Sequence, residues 1–217
     1  MHSSNLFRRR LLLAGAAGLA AGAVSGVAHA HGGAAVQPDI DGTKVWGARS
    51  PQGTVSVLQY RPSRLVVHHT VSPNTTDHSR AQAHSHAHWV QDLHMDDNGW
   101  VDTGYNFLVS RGGWITEGRT GSLSALTGGR TFVLGAHTSG QNTQAVGIAC
   151  EGQYHAGAQP PQAQWDVLVA LCAYACDQYG IASTQIFGHK DYGTTECPGV
   201  YHDMLPQLRA EVAAARA

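Results

Sequence analysis

Two side chains that can bind a metal flank a short polar loop near the carboxyl end of the chain. Residues 188–199 read GHKDYGTTECPG, in which His189 precedes Cys197 by eight residues. Gly193 and the Pro198-Gly199 pair allow such a loop to fold back, so the imidazole and the thiol can converge. Imidazole and thiolate are both ligands that zinc prefers in proteins. The pattern therefore predicts that this loop supplies two ligands of one metal site.

A third ligand is available in the segment VVHHTV at residues 66–71, which has the composition of a buried strand. A hydrolytic zinc site usually takes three protein ligands and leaves the fourth position to water. Because side chains alternate between the two faces of a strand, His68 and His69 cannot both reach the same ion. One of them is expected to face the metal, while the other packs or meets solvent.

A second histidine cluster, HSHAH at residues 84–88, competes for the same interpretation. His84 and His88 are four residues apart, which places both on one face of a helix. The glutamate that follows the first histidine in the HExxH motif of zinc proteases is missing here. The cluster is therefore interpreted as a polar helix face.

Periodicity and turn residues predict alternating strands and helices. Strands are predicted at 64–71, 145–152 and 185–190, together with a hairpin over 105–118. Helices are predicted at 75–94, at 160–179 with Gly180 as the stop, and at 201–215 despite Pro206. This mixture indicates one α/β domain with a mixed central sheet.

The first thirty residues have the pattern of an export signal. An arginine cluster at residues 8–10 precedes an uncharged run over 11–27, and a small-residue cleavage site follows at 28–30. The paired arginines with leucines just after them resemble a twin-arginine signal, with an ordinary Sec signal as the alternative. The run is shorter than the roughly 20 residues that a membrane span needs, so no stable span is expected after processing.

These features divide the chain into a signal peptide over residues 1–30, a flexible lead-in over 31–44 and a single folded domain over 45–217. We expect the mature protein to be exported, either secreted or associated with the cell wall. Without the signal, 11 basic residues remain against 15 acidic ones, a net charge of −4 with histidine neutral. Nucleic acid and anionic membrane surfaces are therefore not expected as partners.

The remaining cysteines leave two interpretations open. Cys172 and Cys176 lie among the apolar positions of one predicted helix, which favours packed thiols. An exported protein also permits a disulfide, in which one of the two would bridge to Cys150.

Four ordered motifs resemble one family of enzymes. VVHHT, GWVDTGYNFLVSRGGWITEGR, LGAHTSGQNTQAVGIACEG and GHKDYGTTECPG occur in the order and spacing of N-acetylmuramoyl-L-alanine amidases of the peptidoglycan recognition protein type. With VWGAR at 45–49, the resemblance covers about residues 45–210. It implies that family's fold, a mixed sheet flanked by helices. It also implies a hydrolase that uses one zinc ion to cleave the amide bond between N-acetylmuramic acid and L-alanine in peptidoglycan or muropeptides.

The resemblance also implies roles for individual residues. The zinc ligands would be His68, His189 and Cys197, and the groups that steady the oxyanion would be Tyr105 and Thr195. Substrate contacts are implied at His137 and at Asn106, for which a structural role is the alternative.

The chain departs from some bacterial relatives at one position. Those relatives carry a glutamate base where this chain has Ala149, two residues before Glu151. Either Glu151 replaces that base, or zinc acts with Tyr105 alone. Two other functions remain as alternatives: a module that binds peptidoglycan without cutting it, and a zinc hydrolase of another cell-wall bond. Cys197 and Tyr105 favour catalysis, because non-catalytic relatives typically lack the zinc cysteine.

The export route can be tested in the full chain. Replacing both Arg8 and Arg9 by lysine keeps the positive charge but removes the arginine pair that defines a twin-arginine signal. We expect unprocessed protein to accumulate in the cytoplasm, measured by cell fractionation and immunoblotting. Arg10→Lys is the matched control and should be secreted normally. Normal secretion of the double variant would favour the Sec route instead.

Overall fold

A mixed sheet forms the centre of the fold. The computed structural model describes residues 34–217. This part of the chain contains the strands β1 (Ile40–Asp41), β2 (Val57–Leu58), β3 (Arg64–His69), β4 (Phe107–Val109), β5 (Ile115–Glu117), β6 (Phe132–Val133), β7 (Ala145–Cys150) and β8 (Ile186–Gly188). The sheet has the order β1-β5-β4-β7-β3-β8, and β2 pairs with β6 in a separate ribbon. Strands β4, β7, β3 and β8 are parallel, whereas β5 is antiparallel to β4, which confirms the predicted mixed sheet and hairpin.

The α-helices of residues 34–217 are α1 (Thr43–Trp46), α2 (Arg80–Asp92), α3 (Ser122–Gly128), α4 (Gln162–Tyr179), α5 (Val200–Asp203) and α6 (Leu205–Ala214). At the start of α2, the Ser79 hydroxyl accepts the N–H of Gln82 at 3.1 Å, satisfying a donor that the helix leaves free. The α4 helix ends at Gly180, whose φ of 72° is left-handed and favours glycine. The long helices predicted around residues 75–94 and 160–179 are therefore present, although α2 begins only at Arg80.

Helices cover both faces of the sheet. Leu65 and Val67 of β3 belong to the main core, which α4 closes on one face. Ala87 and Val90 of α2 form a smaller core with Ala149 on the other face. Each large aliphatic side chain buried in this way stabilises the fold by about 1.5–3 kcal/mol. Because side chains alternate along β3, the first histidine of that strand is turned toward the α2 face.

Residues 40–44, which the sequence assigned to a flexible lead-in, take part in the sheet and the first helix. Ile40 and Asp41 pair in parallel with β5. The buried Asp41 carboxylate accepts a hydrogen bond from Arg80 Nε at 2.8 Å and lies 2.7 Å from His84 Nε2. The sequence did not reveal this because the partners of Asp41 lie 39 and 43 residues away.

The histidine cluster of α2 is used in tertiary contacts. His84 joins the buried carboxylate just described, and His86 Nε2 lies 3.0 Å from Thr70 Oγ1. The His88 ring lies edge-on to Trp46, with 5.0 Å between the ring centroids. These histidines therefore connect α2 to the N-terminal segment and to the end of β3.

Two further features differ from the sequence prediction. Residues between β5 and β7 contribute α3 and also β6, which pairs with β2. The single helix predicted over 201–215 is divided at Met204 into α5 and α6. Pro206 has no N–H and fits only the first turn of a helix, so α6 begins just before it.

All four cysteines are buried free thiols. Burial raises the pKa of Cys150 to about 12 and that of Cys176 to about 11, so both stay protonated at neutral pH. Of the two interpretations left open, packed thiols are therefore correct, and no bridge joins Cys172 or Cys176 to Cys150.

The predicted signal peptide over residues 1–30 lies outside the described residues, and its export role stays a prediction. Within residues 34–217, no helix combines the length and the apolar character needed to cross a membrane.

The buried histidine of α2 links stability to pH. Burial lowers the pKa of His86 to about 3, whereas an unfolded chain titrates near the ordinary value of about 6.5. Below pH 6.5 the unfolded state therefore binds the proton that the native state excludes. The contribution of His86 to the free energy of unfolding is fully present above pH 6.5. It is lost as the pH falls toward 3, by roughly 1.4 kcal/mol per pH unit.

Urea unfolding of the native chain and of His86→Gln between pH 7 and 4.5 measures this contribution. As the pH falls, we expect the free energy of unfolding to decrease less steeply in the variant, by the slope that corresponds to one proton taken up on unfolding. Identical slopes for the two proteins would contradict the assignment, because every other titrating group is shared.

Candidate metal centre and active site

Three metal-type ligands converge at one edge of the sheet. β3 pairs with β8 through Val67 and Gly188, so the next residues, His68 and His189, lie side by side. Their ring centroids are 4.6 Å apart. With Cys197 they form the one group in residues 34–217 whose three ligand atoms all lie within 4.8 Å of one another.

The spacing of these atoms fits a tetrahedral zinc ion. Cys197 Sγ lies 3.6 Å from His68 Nδ1. Zinc–nitrogen and zinc–sulfur bonds of about 2.1 and 2.3 Å at a tetrahedral angle separate the two ligand atoms by about 3.6 Å. The backbone N–H of His69 also points at Sγ, at 3.4 Å, and so stabilises negative charge on the sulfur. One thiolate and two imidazoles are a donor set typical of zinc.

Burial sets the protonation of the three ligands. It lowers the pKa of His68 well below its ordinary range and also lowers that of His189, so both imidazoles are neutral at pH 7. It raises the pKa of Cys197 to about 12. A bound divalent cation reverses this last shift, since a coordinated thiol loses its proton. Metal binding is therefore expected to release one proton from Cys197.

His69 is engaged elsewhere. Its Nδ1 accepts the N–H of Tyr154 at 3.1 Å, and its ring packs edge-on against His155 with centroids 4.4 Å apart. His69 Nε2 has no hydrogen-bond partner among the described residues. The structure thus brings His68, and not its neighbour in the strand, together with the other two ligands.

Tyr105 and Thr195 lie beside the ligands. The Tyr105 ring centroid is 5.1 Å from that of His68. Burial raises the pKa of the Tyr105 phenol above its usual range, and negative charge on the nearby Cys197 sulfur would raise it further, so the phenol keeps its proton. Thr195 Oγ1 accepts the N–H of Cys197 at 3.1 Å, which leaves its own hydroxyl proton to donate. Both groups can act as hydrogen-bond donors, and their role at an oxyanion stays a prediction.

Glu151 connects two elements and is not part of the ligand group. Its Oε1 accepts a hydrogen bond from Gln82 Nε2 at 2.8 Å, and its Oε2 accepts the N–H of Arg111 at 2.9 Å. The side chain is only 1% exposed. Ala149, the residue in register with His68, carries no carboxylate. Both carboxylate oxygens thus hold Glu151 to α2 and to the turn after β4, and its role as a substitute base stays a prediction.

Asn106 makes structural hydrogen bonds, and the substrate contact implied for it stays a prediction. The side chain is buried; its Oδ1 accepts the N–H of Gly147 and its Nδ2 donates to the Val133 carbonyl, both at 2.9 Å. These bonds tie the start of β4 to β7 and β6. The amide nitrogen and oxygen are thus both hydrogen-bonded within the protein, which is the structural alternative for this residue.

His137 lies behind His68. It is 7% exposed, and its Nδ1 is 3.0 Å from His68 Nε2. Burial lowers the pKa of His137 to about 4, so the ring is neutral. Thr138 Oγ1 is also close, 3.3 Å from His68 Nε2. The sequence analysis did not identify Thr138, nor the contact between His137 and His68. The motif GAHTSG contains both residues that lie close to His68 Nε2, His137 and Thr138.

Comparison with known proteins agrees with this arrangement. A family model described as N-acetylmuramoyl-L-alanine amidase matches residues 58–200. The chain belongs to this family. It is 34% identical over 155 residues to peptidoglycan-recognition protein SC2 of Drosophila melanogaster, covering 71% of this chain and 77% of that protein. It is also 34% identical over 158 residues to the human N-acetylmuramoyl-L-alanine amidase, covering 71% of this chain and 25% of that one.

A solved structure extends the likeness to the fold. Drosophila PGRP-LB superposes with a TM-score of 0.64 at 28% identity, over 81% of this chain and 93% of that one. A mutant of PGRP-LB was solved in complex with tracheal cytotoxin. The mixed sheet flanked by helices is thus the fold of this family.

The ligand assignment can be tested by zinc content. We expect His68→Asn and Cys197→Ser to lose most of the metal, because each removes one of three convergent donors. His69→Asn should keep about one zinc per chain, since the asparagine Oδ1 can replace the imidazole Nδ1 that accepts the Tyr154 N–H. Metal analysis of purified, folded variants measures this. Loss of zinc in His69→Asn, or full retention in Cys197→Ser, would contradict the assignment.

Proposed function

We propose that this protein is a zinc-dependent amidase that cleaves the bond between N-acetylmuramic acid and L-alanine in peptidoglycan. The observation that carries the proposal is the convergence of His68, His189 and Cys197 beside the protonated Tyr105. Binding peptidoglycan without cleavage does not require a buried cysteine that lies next to two neutral imidazoles. Membership in the amidase family supports the same conclusion.

The donor set suits hydrolysis of an amide. When bound by these three ligands, zinc supplies a Lewis acid that polarises a carbonyl and makes water acidic at neutral pH. With two neutral imidazoles and one thiolate, the protein neutralises only half of the charge of the ion. Tyr105 and Thr195 donate hydrogen bonds to the oxygen of the scissile carbonyl as negative charge develops there. Each donor is held by its surroundings, Thr195 through the N–H of Cys197.

The proposed ligands are peptidoglycan and muropeptides. The PGRP-LB complex contains tracheal cytotoxin, and the matching relatives carry peptidoglycan-recognition or amidase names. We also propose that the chain acts outside the cytoplasm, in keeping with the signal-like residues 1–30. We also propose that the site holds a single zinc ion.

Product analysis tests the bond that is cleaved. Purified sacculi are digested with the zinc-loaded mature chain and the fragments are identified by mass spectrometry. Free stem peptides beginning with L-alanine, with glycan strands that retain lactyl-muramic acid, are the expected products. Cleavage within the stem peptide would instead identify a peptidase. Binding to sacculi without release of fragments would identify a binding module, and Cys197→Ser provides the inactive control.

The role of Tyr105 is tested against that of Glu151. We expect Tyr105→Phe to lower turnover by about 10²–10³-fold with zinc content unchanged, the loss typical of one oxyanion donor. Glu151→Gln should have little effect. Its carbonyl can still accept the Arg111 N–H, and the Gln82 amide can flip to accept from the new amide. Kinetics of both variants on soluble peptidoglycan fragments measure this.

A larger loss of turnover in Glu151→Gln than in Tyr105→Phe would overturn the proposed mechanism. If Glu151 is the general base, Glu151→Gln loses about 10²-fold or more in turnover, as general-base loss usually does. A fully active Tyr105→Phe would remove Tyr105 from the proposed site.

A further inference from the structure

His137 makes a chain of hydrogen bonds that ends at the ligand group. Its Nε2 lies 3.2 Å from the carbonyl oxygen of Ala145. Its Nδ1 lies 3.0 Å from His68 Nε2, and His68 Nδ1 in turn lies 3.6 Å from Cys197 Sγ. The two imidazoles meet almost edge to face, with 83° between their planes. A buried histidine therefore stands directly behind the first ligand.

The Ala145 carbonyl determines where each proton lies in this chain of hydrogen bonds. A carbonyl oxygen can only accept, so His137 Nε2 must carry a proton. A second proton on the ring would place a charge in a buried site between the Ala145 carbonyl, the His68 imidazole and the Thr138 hydroxyl, whose Oγ1 lies 3.0 Å from His137 Nδ1; this is unfavourable. His137 Nδ1 is therefore an acceptor. The proton in the 3.0 Å contact then belongs to His68 Nε2, and His68 Nδ1 is left with its lone pair.

We propose that His137 is a positioning residue, which holds His68 in the tautomer that presents Nδ1 to the metal. This inference rests on the zinc site of the proposed function. It replaces the substrate contact expected for His137 from the family resemblance with a contact inside the protein. The effect of such a partner is to fix the orientation of the ligand ring and to make the ligand nitrogen more basic.

The surrounding backbone is arranged to hold the His137 ring. The N–H groups of His137 and Thr138 both donate to Asn142 Oδ1 at 2.9 Å, which closes the turn that carries them. Gly147 of β7 leaves the space that the ring fills, because a Cβ at that position would lie 2.4 Å from the imidazole. Glycine in a strand often marks such a close approach. A side chain at 147 would displace His137 from His68.

Three substitutions separate positioning from substrate binding. His137→Phe keeps a flat ring but removes the acceptor, and we expect the affinity for zinc to fall about 10–100-fold. His137→Asn keeps an acceptor near the position of Nδ1 and should restore affinity to within about threefold of the native chain. His86→Phe makes the same change at a buried histidine that does not contact the ligands and should leave zinc affinity unchanged. Competition with a chromophoric chelator measures all three.

The outcomes distinguish this inference from the proposed function. A native chain that fails to bind zinc would overturn the proposed function itself. If the native chain binds zinc and His137→Phe binds it equally well, the positioning role is wrong. A rise in KM for peptidoglycan fragments with unchanged zinc affinity would restore His137 as a substrate contact. Thr138→Val, combined with His137→Phe, removes the other nearby acceptor and should deepen the loss of affinity.

A spectroscopic measurement tests the same point without metal. In the metal-free chain, ¹⁵N NMR of the histidine rings reports which nitrogen of His68 carries the proton. We expect the Nε2–H tautomer in the native chain and in His137→Asn. In His137→Phe the two tautomers of His68 should mix. A native His68 with its proton on Nδ1 would contradict the inference directly.

Discussion

The parallel pairing of β3 with β8 is the constraint on which the candidate site depends. The register Val67 to Gly188 makes His68 and His189 the next residues at the same edge of the sheet. Shifting β3 by one residue would turn every side chain to the opposite face and present His69 instead. The main core prevents this, because Leu65 and Val67 are fully buried on the α4 side. The packing of apolar residues thus decides which histidine becomes a ligand.

The same sheet carries buried polar groups that need hydrogen-bond partners, and these hydrogen bonds hold the elements around the candidate site in place. Glu151 joins α2 to the turn after β4 through Gln82 and Arg111. Just beyond the ligand strand, Val71 adopts a φ of 56°, a conformation that β-branched residues rarely take. The bonds of Thr70 to the Cys150 carbonyl and of Ser72 to the Gly152 N–H hold the chain on both sides of it. The end of β3 is therefore fixed by contacts with β7 as well as by its own register.

Sequence reasoning succeeded where local patterns carry the information. Alternation along β3 excluded one of two adjacent histidines, and the turn residues around Cys197 predicted a loop that returns to the strand ends. The α4 helix follows from its apolar stripe and from Gly180, and the hairpin from its glycine-containing turn. The choice of His68 over His69, however, came from the family resemblance and not from the pattern alone.

What was missed depends on contacts between distant parts of the chain. The hydrogen bond between the Asn106 amide and Gly147, 41 residues away, could not be located from the sequence. His137 contacts His68 across 69 residues, and nothing in the local sequence of either indicates the pairing. The ordered segment around Asp41 depends on partners in α2 in the same way. Buried hydrogen bonds of this kind leave no periodic signal in the sequence.

X-ray absorption at the zinc edge tests the proposed ligand set, because it reports the atoms around the ion itself. For the zinc-loaded mature chain, we expect four-coordinate zinc with one sulfur at about 2.3 Å and three nitrogen or oxygen atoms at about 2.0–2.1 Å. One of those three is the exchangeable position that a hydrolase needs, so adding a small anion should change the spectrum. Two or more sulfur ligands, or a spectrum that does not respond to added anions, would indicate a closed structural site and contradict a hydrolytic zinc centre with these three ligands.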